Sequence, residues 1–299
     1  MSRVYEALHW AEEERKGKAI EELSRKVLEE KTILSEEEPT LKFPKKKETE
    51  ELELSLKEKG PVLIVRPETF AAEEFRMLKT RVFLRSPKPP HSILVTSTAP
   101  GEGKTTVAVN LALAISQEIH KKAILIDGDL RKPSIHLEGY PNSKGLSNYL
   151  LNQTPLSEIL LNSGAENLQI ILAGHSSRKS AELIGSKKMP ELLRSLREFG
   201  DDTYLVIDSP PILSASESTL LSKIVDGVIL VVAAGRTPKE FVRRAVKSID
   251  PQKLIGAVFN EVDIKPSAYY SRSYYGYYGN KSKGRELKGP RIQGVRGNS

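Results

Sequence analysis

Short apolar runs recur along the chain from residue 61 onward, and segments of helix length separate them. The runs cover residues 62–65, 93–97, 123–127, 169–173, 204–208, 228–234 and 255–260. They are rich in β-branched residues and nearly unbroken, as expected for strands buried on both faces of a sheet. Between them, residues 104–119 and 189–199 have compositions typical of helices. This alternation predicts an α/β fold, with a mostly parallel sheet flanked by helices.

The two ends of the chain follow other patterns. Residues 1–60 are rich in Glu and Lys, with sparse apolar positions at helical spacing, and they predict a helical extension and a charged linker. This segment suits either an unpacked extension or a helical docking element. Residues 61–265 form the predicted α/β domain. Residues 266–299 form a flexible Tyr-rich and basic tail, which is either solvated or bound to nucleic acid or anionic lipid.

Composition indicates more about where in the cell the protein works than about the reaction it catalyses. The chain has 299 residues, a formal net charge of +7 and no cysteine, which excludes disulfides and thiolate metal sites and favours a reducing cytosol. No apolar run approaches the roughly 20 residues that cross a bilayer, and the N-terminus does not read as a signal peptide. The sequence therefore predicts a cytoplasmic protein that reaches the inner face of the membrane through a partner.

A phosphate-binding loop follows the run at 93–97. The stretch TAPGEGKTT joins that predicted strand to a predicted helix, with Thr98 in place of the usual first glycine. Gly101 and Gly103 allow backbone N–H groups to turn inward on a phosphate. Lys104 supplies a mobile positive charge, and Thr105 supplies a hydroxyl for Mg²⁺. The loop predicts ATP binding. The predicted nucleotide contacts are Thr98, Ala99, Pro100, Gly101, Glu102, Gly103, Lys104, Thr105, Thr106 and Asn260.

Three aspartates lie at or just beyond the ends of two other predicted strands. Asp127 and Asp129 belong to the stretch ILIDGDLR, and Asp208 belongs to VIDSPP. Because ligands collect at the carboxyl ends of parallel strands, these acids are expected to face the phosphate loop. They would repel one another strongly without a cation among them. The sequence therefore predicts Mg²⁺, held by Asp129, Asp208 and Thr105 largely through water.

These three motifs together resemble the bacterial tyrosine kinases of capsule and exopolysaccharide synthesis, and the resemblance covers about residues 61–278. That family belongs to a class of P-loop proteins that also contains the MinD/ParA ATPases. The ATPases usually carry an additional lysine near the start of the loop, and this chain has none there. The missing lysine favours a kinase over the alternative, an ATPase switch without kinase activity.

The resemblance also implies a role for the tyrosines of the tail. Six of the ten tyrosines fall within YYSRSYYGYY, and members of the family phosphorylate such a C-terminal cluster on themselves. The implied acceptors are Tyr269, Tyr270, Tyr274, Tyr275, Tyr277 and Tyr278. Two other interpretations stay open, a stacking platform for single-stranded nucleic acid and an adhesive segment without chemistry. Beside a phosphate site, nucleic acid is not the expected partner.

For the transfer itself, the resemblance implies that Asp127 is the general base. Lys104 and Arg131 would neutralise the charge that develops on the phosphate oxygens. The implied product is phosphotyrosine, formed at the expense of ATP. Transfer is expected in trans, from one chain to the tail of its neighbour.

A further family mark lies at Glu73, Arg76 and Lys79, where relatives carry E-x-x-R-x-x-R in the contacts that close a ring. Lys79 stands where the second Arg belongs and cannot make a bidentate fork. The alternative is a set of ordinary charge pairs along one helix. The implied partners are further copies of the chain, a separate membrane-bound polysaccharide co-polymerase that activates the kinase, and a tyrosine phosphatase.

Overall fold

The computed structural model describes residues 65, 69–85, 88–137, 140 and 144–262. The predicted extension and linker at 1–60 lie outside the described residues, as does the tail with its six implied acceptor tyrosines. The run at 62–65 was predicted as a strand, and its one described residue, Val65, is not in a strand. None of the helices in these described ranges has the length and apolar character needed to cross a bilayer.

The described residues form helices and strands in alternation, as the apolar pattern predicts. The helices are α1 (Phe70–Phe83), α2 (Lys104–Ser116), α3 (Leu146–Leu150), α4 (Leu156–Ile159), α5 (Ser180–Ile184), α6 (Lys188–Arg197), α7 (Ser216–Ile224) and α8 (Lys239–Lys247). The strands are β1 (Ser92–Ser97), β2 (Lys122–Asp127), β3 (Leu161–Asn162), β4 (Leu168–Ile171), β5 (Thr203–Asp208), β6 (Gly227–Ala233) and β7 (Leu254–Asn260). The predicted α/β class is confirmed.

The strands make one sheet in the order β3-β4-β2-β5-β1-β6-β7. Every neighbouring pair is parallel except β3 and β4, which are antiparallel at one edge. Alternate residues of a central strand enter opposite apolar layers. In β1, Ile93 and Val95 pack in the cluster that contains much of α2, and Leu94 packs in the cluster that contains residues of α6. Burial on both faces explains why the strands are continuous apolar runs.

Helix α2 positions the start of the site. Ten of its 13 residues are buried, because the helix packs against the sheet on one side and against α1 on another. Its first residue is Lys104 and its second is Thr105. Because α2 is fixed by packing, the backbone of these two residues is fixed as well, and both face the edge of the sheet where the neighbouring strands end.

Candidate active site

The carboxyl ends of three neighbouring strands form one side of the site. Strands β2, β5 and β1 are adjacent in that order, so the loops that follow them lie side by side. This arrangement brings together the phosphate loop of residues 98–103, Asp127, Asp129 and Asp208. It is the place where open parallel sheets bind their ligands.

Two glycines let the phosphate loop adopt its conformation. Gly101 has φ 78° and Gly103 has φ 86°, both in the left-handed region that favours glycine. A Cβ at Gly103 would lie 2.0 Å from Asn260 Nδ2, so the Asn260 side chain would have to move. The backbone conformation therefore favours both glycines that the motif singles out, and a side chain at Gly103 would also displace Asn260.

Glu102 closes the phosphate loop on itself. Its side chain is only 2% exposed, which is unusual for a glutamate. One carboxylate oxygen accepts hydrogen bonds from the backbone N–H groups of Thr98 at 2.7 Å and Ala99 at 3.0 Å. The other accepts from the hydroxyl of Thr98 at 2.7 Å and from the hydroxyl of Thr237. The N–H groups of Thr98 and Ala99 are thus engaged within the loop.

Residues from the far end of the chain brace the same loop. Arg236, after β6, donates from Nη2 to the carbonyl of Gly101 at 2.5 Å. Asn260, at the end of β7, donates from Nδ2 to the carbonyl of Glu102 at 3.0 Å. Asn260 therefore contacts the loop backbone, and its predicted contact with adenine stays a prediction.

Lys104 stands between two acids. Its Nζ lies 3.5 Å from Asp208 Oδ1 and 3.6 Å from Asp129 Oδ2. The Thr105 hydroxyl accepts a hydrogen bond from Lys104 at 3.2 Å and donates one to Asp208 Oδ2 at 2.6 Å. Burial raises the pKa of Asp208, although Lys104 and the Thr105 hydroxyl oppose the rise. The lysine is the cation that lets these carboxylates lie so close together.

The same residues fit Mg²⁺. Asp208 Oδ1 is buried and has no hydrogen-bond partner among the described residues, so it can accept a water of the ion's shell. Within those residues, no group of three or more His, Cys, Asp or Glu could hold a metal by itself. Mg²⁺ suits such a site, because it takes one or two carboxylates and completes its shell with waters and phosphate oxygens. Asp129 and Asp208 supply the two carboxylates, and Thr105 supplies a hydroxyl.

Asp127 has no exposed surface, and its two oxygens hold the turn that follows β2. Oδ1 accepts from the N–H of Asp129, and Oδ2 accepts from the N–H groups of Ser134 and Ile135, all at 3.1 Å. Burial and the charge of Asp208 raise the pKa of Asp127 to about 7, against the opposing effect of these N–H groups. Its structural role is an anchor of the turn. The implied role as general base stays a prediction.

Arg131 meets two buried residues. Its Nε lies 2.6 Å from Glu217 Oε1 and donates to Ser180 Oγ at 3.1 Å. Glu217 lies in α7 and Ser180 in α5, so the arginine joins the turn after β2 to both helices. Half of its side chain is exposed. The implied contact of Arg131 with a phosphate stays a prediction.

The three residues of the implied ring contact lie along α1. Arg76 Nη1 pairs with Glu73 Oε2 at 2.5 Å, three residues away. Lys79 pairs with Glu118, which follows α2 in the same chain. The pair of Arg76 with Glu73 lies within one helix, as the alternative expects, whereas Lys79 pairs with a residue outside α1; the ring contact stays a prediction.

Four residues of the site were not assigned a role from the sequence: Ser180, Glu217, Arg236 and Thr237. Glu102 was predicted only as a nucleotide contact, and its bonds within the loop were not predicted. A charged residue between two loop glycines was the one visible sign for Glu102. Arg236 and Thr237 had no sign, because each is 135 positions from its partner in the loop.

Several known proteins are similar to this chain in both sequence and fold. A family model described as an AAA domain matches residues 91–253. The tyrosine-protein kinase YwqD of Bacillus subtilis is 32% identical over 228 residues, which cover 75% of this chain and 93% of that protein. The tyrosine-protein kinase CpsD of Streptococcus pneumoniae is 33% identical over 217 residues, which cover 71% and 93%. A crystal structure of the chimerical protein CapA2B2 is 29% identical, with a TM-score of 0.61 over 72% of this chain and 99% of that chain.

Proposed function

This chain belongs to the family of bacterial tyrosine-protein kinases, and we propose that it transfers the terminal phosphate of ATP to tyrosine hydroxyls, including those of its own residues 269–278. The P-loop fold and the named relatives imply that it binds a nucleotide. The proposed reaction converts ATP and protein tyrosine to ADP and phosphotyrosine. Its proposed role is the control of capsule or exopolysaccharide synthesis or export.

The proposal depends mainly on the arrangement of side chains behind the phosphate loop. Lys104, Thr105 and Asp208 form a connected group directly behind the phosphate loop, with Asp129 3.6 Å from the same lysine. Phosphoryl transfer needs positioning and charge neutralisation more than a strong base. A lysine, a hydroxyl and two acids at the end of a glycine loop can supply both. The lysine can turn from the acids to the β- and γ-phosphates, while the acids accept the waters of Mg²⁺.

Mg²⁺, when bound, would neutralise negative charge on the phosphate oxygens and fix their orientation. Thr105, Asp129 and Asp208 are the residues proposed to hold it. The backbone N–H groups of the loop after Ala99 and the positive end of α2 are proposed to bind the phosphates. Thr106 is proposed to reach the α-phosphate. Together these groups leave the terminal phosphate as the part of the nucleotide that can be transferred.

Asp127 is the proposed acceptor of the tyrosine proton. A tyrosine hydroxyl has a pKa of about 10 and an ordinary aspartate one of about 4, so the two are poorly matched. Burial and the nearby Asp208 raise the pKa of Asp127 to about 7, which narrows the mismatch. Proton transfer late in the reaction suits such a pair.

Transfer in trans is part of the proposal because the family resemblance implies a ring of subunits; the reach of the tail does not by itself require it, since Asn260 at the end of β7 contacts the phosphate loop. From Val262, the last described residue, to Tyr269 there are seven residues, which span at most about 25 Å when extended. We propose that the tail enters the site of a neighbouring chain, in a ring whose contacts use Glu73, Arg76 and Lys79. The proposed partners are a membrane-bound polysaccharide co-polymerase, which recruits and activates the kinase, and a tyrosine phosphatase.

Mixing two variants tests the proposal. A Lys104→Met chain with an intact tail is incubated with γ-labelled ATP and an active chain whose six tail tyrosines are Phe, in the presence of the activator. We expect label on tyrosines of the Lys104→Met chain. The same inactive chain alone is the control and should stay unlabelled. ATP hydrolysis with no labelled tyrosine in the mixture or in the native protein would instead establish an ATPase switch.

A further inference from the structure

Glu217 is a carboxylate inside the protein that the proposed transfer reaction does not yet use. It is the second residue of α7, and none of its surface is exposed. A buried carboxylate needs a charged partner and hydrogen bonds to be tolerated. In the described part of the chain, its ion-pair partner is Arg131, with Oε1 2.6 Å from Nε. Ser180 donates to the same Oε1 at 2.5 Å.

Burial by itself would raise the pKa of Glu217, but the hydrogen bond from Ser180 and the charge of Arg131 outweigh it and hold the pKa below its usual range. Glu217 is therefore ionised at neutral pH. The Glu217 carboxylate lies against one edge of the Arg131 guanidinium, at Nε. Ser180 Oγ accepts from the same Nε at 3.1 Å and is itself completely buried. One edge of the arginine is thus locked by two buried groups.

No hydrogen bond from Nη1 or Nη2, the outer edge of Arg131, is found among the described residues, and half of the side chain is exposed. Guanidinium is planar and rigid, so fixing the Nε edge also fixes the direction of the two outer amino groups. Those groups match phosphate geometry in pairs. A buried carboxylate on one side therefore leaves an anion-binding edge on the other.

The backbone around Arg131 is fixed as well. Ser176 donates its hydroxyl to the carbonyl of Arg131 at 3.1 Å, and the N–H of Ser177 donates to the carbonyl of Leu130 at 3.0 Å. On the other side, Asp129 accepts from the N–H of Lys132 at 3.0 Å. The arginine is thus two residues from an acid that lies 3.6 Å from the Lys104 ammonium. Both the main chain and the inner edge of Arg131 are therefore held in place.

We propose that Glu217, together with Ser180, is a positioning residue that holds the outer edge of Arg131 against the phosphate being transferred. This role rests on the proposed kinase function and assigns the orientation of Arg131 to Glu217 and Ser180. An exposed arginine loses rotamer freedom when it is ordered. A buried carboxylate that orders it in the free protein removes that cost from the transition state.

Double-mutant kinetics on the full-length protein with its activator test this role. The variants are Glu217→Gln, which keeps the shape of the side chain, Arg131→Ala, and the two combined. We expect Arg131→Ala to lower kcat roughly 100-fold, as loss of one donor to a transition-state charge does. Glu217→Gln should lower kcat roughly 10-fold, with a smaller change in KM for ATP. The double variant should equal Arg131→Ala alone, because Glu217 acts through the arginine.

Glu182→Gln is the matched control, because Glu182 is an exposed carboxylate on α5 close to Ser180 in sequence. It should retain wild-type kcat. The proposal is overturned if Glu217→Gln keeps wild-type kcat, or if it lowers the activity of Arg131→Ala by a further 10-fold. If Glu217→Gln does not fold, Ser180→Ala replaces it, since it removes one bond to the carboxylate and leaves the ion pair in place. A wild-type kcat in Ser180→Ala would then overturn the role.

A binding measurement separates this inference from the kinase proposal. ADP with Mg²⁺ and tetrafluoroaluminate imitates a transferring phosphate without any tyrosine acceptor. Glu217→Gln should weaken binding of this complex roughly 10-fold relative to ADP with Mg²⁺ alone, and Glu182→Gln should not. If the wild type labels no tyrosine but shows this difference, the kinase proposal fails and the positioning role stands. Equal weakening of both ligands would mean that Glu217 only supports the fold.

Discussion

Asp127 and Asp208 occupy paired positions on the neighbouring parallel strands β2 and β5. Paired residues of parallel strands have side chains on the same face, and neither side chain has any exposed surface. Two carboxylates are therefore buried side by side at the centre of the site. Burial raises the pKa of both, and the charge of Asp208 adds to the rise at Asp127. Lys104 offsets only part of this effect, so the arrangement costs stability that a bound cation would relieve further.

This pair makes the stability of the nucleotide-free protein depend on pH. The pKa of Asp127 rises from 3.8 to about 7 on folding, so between about pH 4 and 7 the folded state binds more protons than the unfolded state. The free energy of unfolding should therefore fall as pH rises through this window and level off above it. Urea denaturation from pH 5 to 8 measures this, and a steady rise across the range would contradict it. Added ADP with Mg²⁺ should stabilise more at pH 8 than at pH 5.5.

Replacing Asp208 by Asn should stabilise the free protein and abolish transfer. The variant removes one of two adjacent buried charges, so we expect the free energy of unfolding at pH 8 to rise by about 1 kcal/mol, the equivalent of about one pKa unit. Tyrosine phosphorylation should fall roughly 100-fold or more, because a proposed magnesium ligand is lost. Asp201→Asn, at an exposed site beside β5, is the control for both measurements. A less stable Asp208→Asn variant would show that Lys104 already compensates the pair.

The close contact between Gly103 and Asn260 predicts a sharp difference between two glycine variants. Gly101→Ala meets only backbone strain of about 1–2 kcal/mol, because nothing lies within 4 Å of the added Cβ. Gly103→Ala meets similar strain and also the Asn260 side chain, 2.0 Å away. We therefore expect Gly103→Ala to bind ADP far more weakly than Gly101→Ala in calorimetric titrations. Gly103→Ala combined with Asn260→Ala should recover part of the affinity, and no recovery would place the cost in the backbone alone.

The bond from Thr237 to Glu102 predicts that a residue outside the loop tunes nucleotide affinity. Thr237→Val keeps the shape of the side chain and removes one of four hydrogen bonds to a buried carboxylate. We expect a loss of about 1 kcal/mol in the free energy of unfolding, together with weaker binding of ADP. Thr219→Val, on α7, is a control because no bond of its hydroxyl is found among the described residues. Wild-type affinity in Thr237→Val would show that Glu102 holds the loop without it.

Most of the fold could be predicted because the central strands are buried on both faces. The runs at 93–97, 123–127, 204–208, 228–234 and 255–260 each match a strand to within one residue at either end. Strand β3 was missed, because two residues at the edge of a sheet make no apolar run. The predicted helix at 104–119 ends at Ser116 in the structure.

The candidate site divides in the same way. Lys104, Thr105, Asp129 and Asp208 were found because short motifs place them at the ends of strands. Glu102 was named only as a member of the loop, and its burial could not be read from its neighbours. One of the bonds to its carboxylate comes from Thr237, which follows another strand 135 positions away.

The sequence by itself determined the α/β class, the phosphate loop and the acids at the strand ends, since each depends on apolar periodicity or on residues within a few positions. Only the tertiary structure decided which charged side chains lie next to each other. It set Lys104 between Asp129 and Asp208, and Arg131 against Glu217. These contacts follow from the strand order β2-β5-β1 and from the packing of α5 and α7, and side chains that are distant in sequence become neighbours only when the sheet has formed.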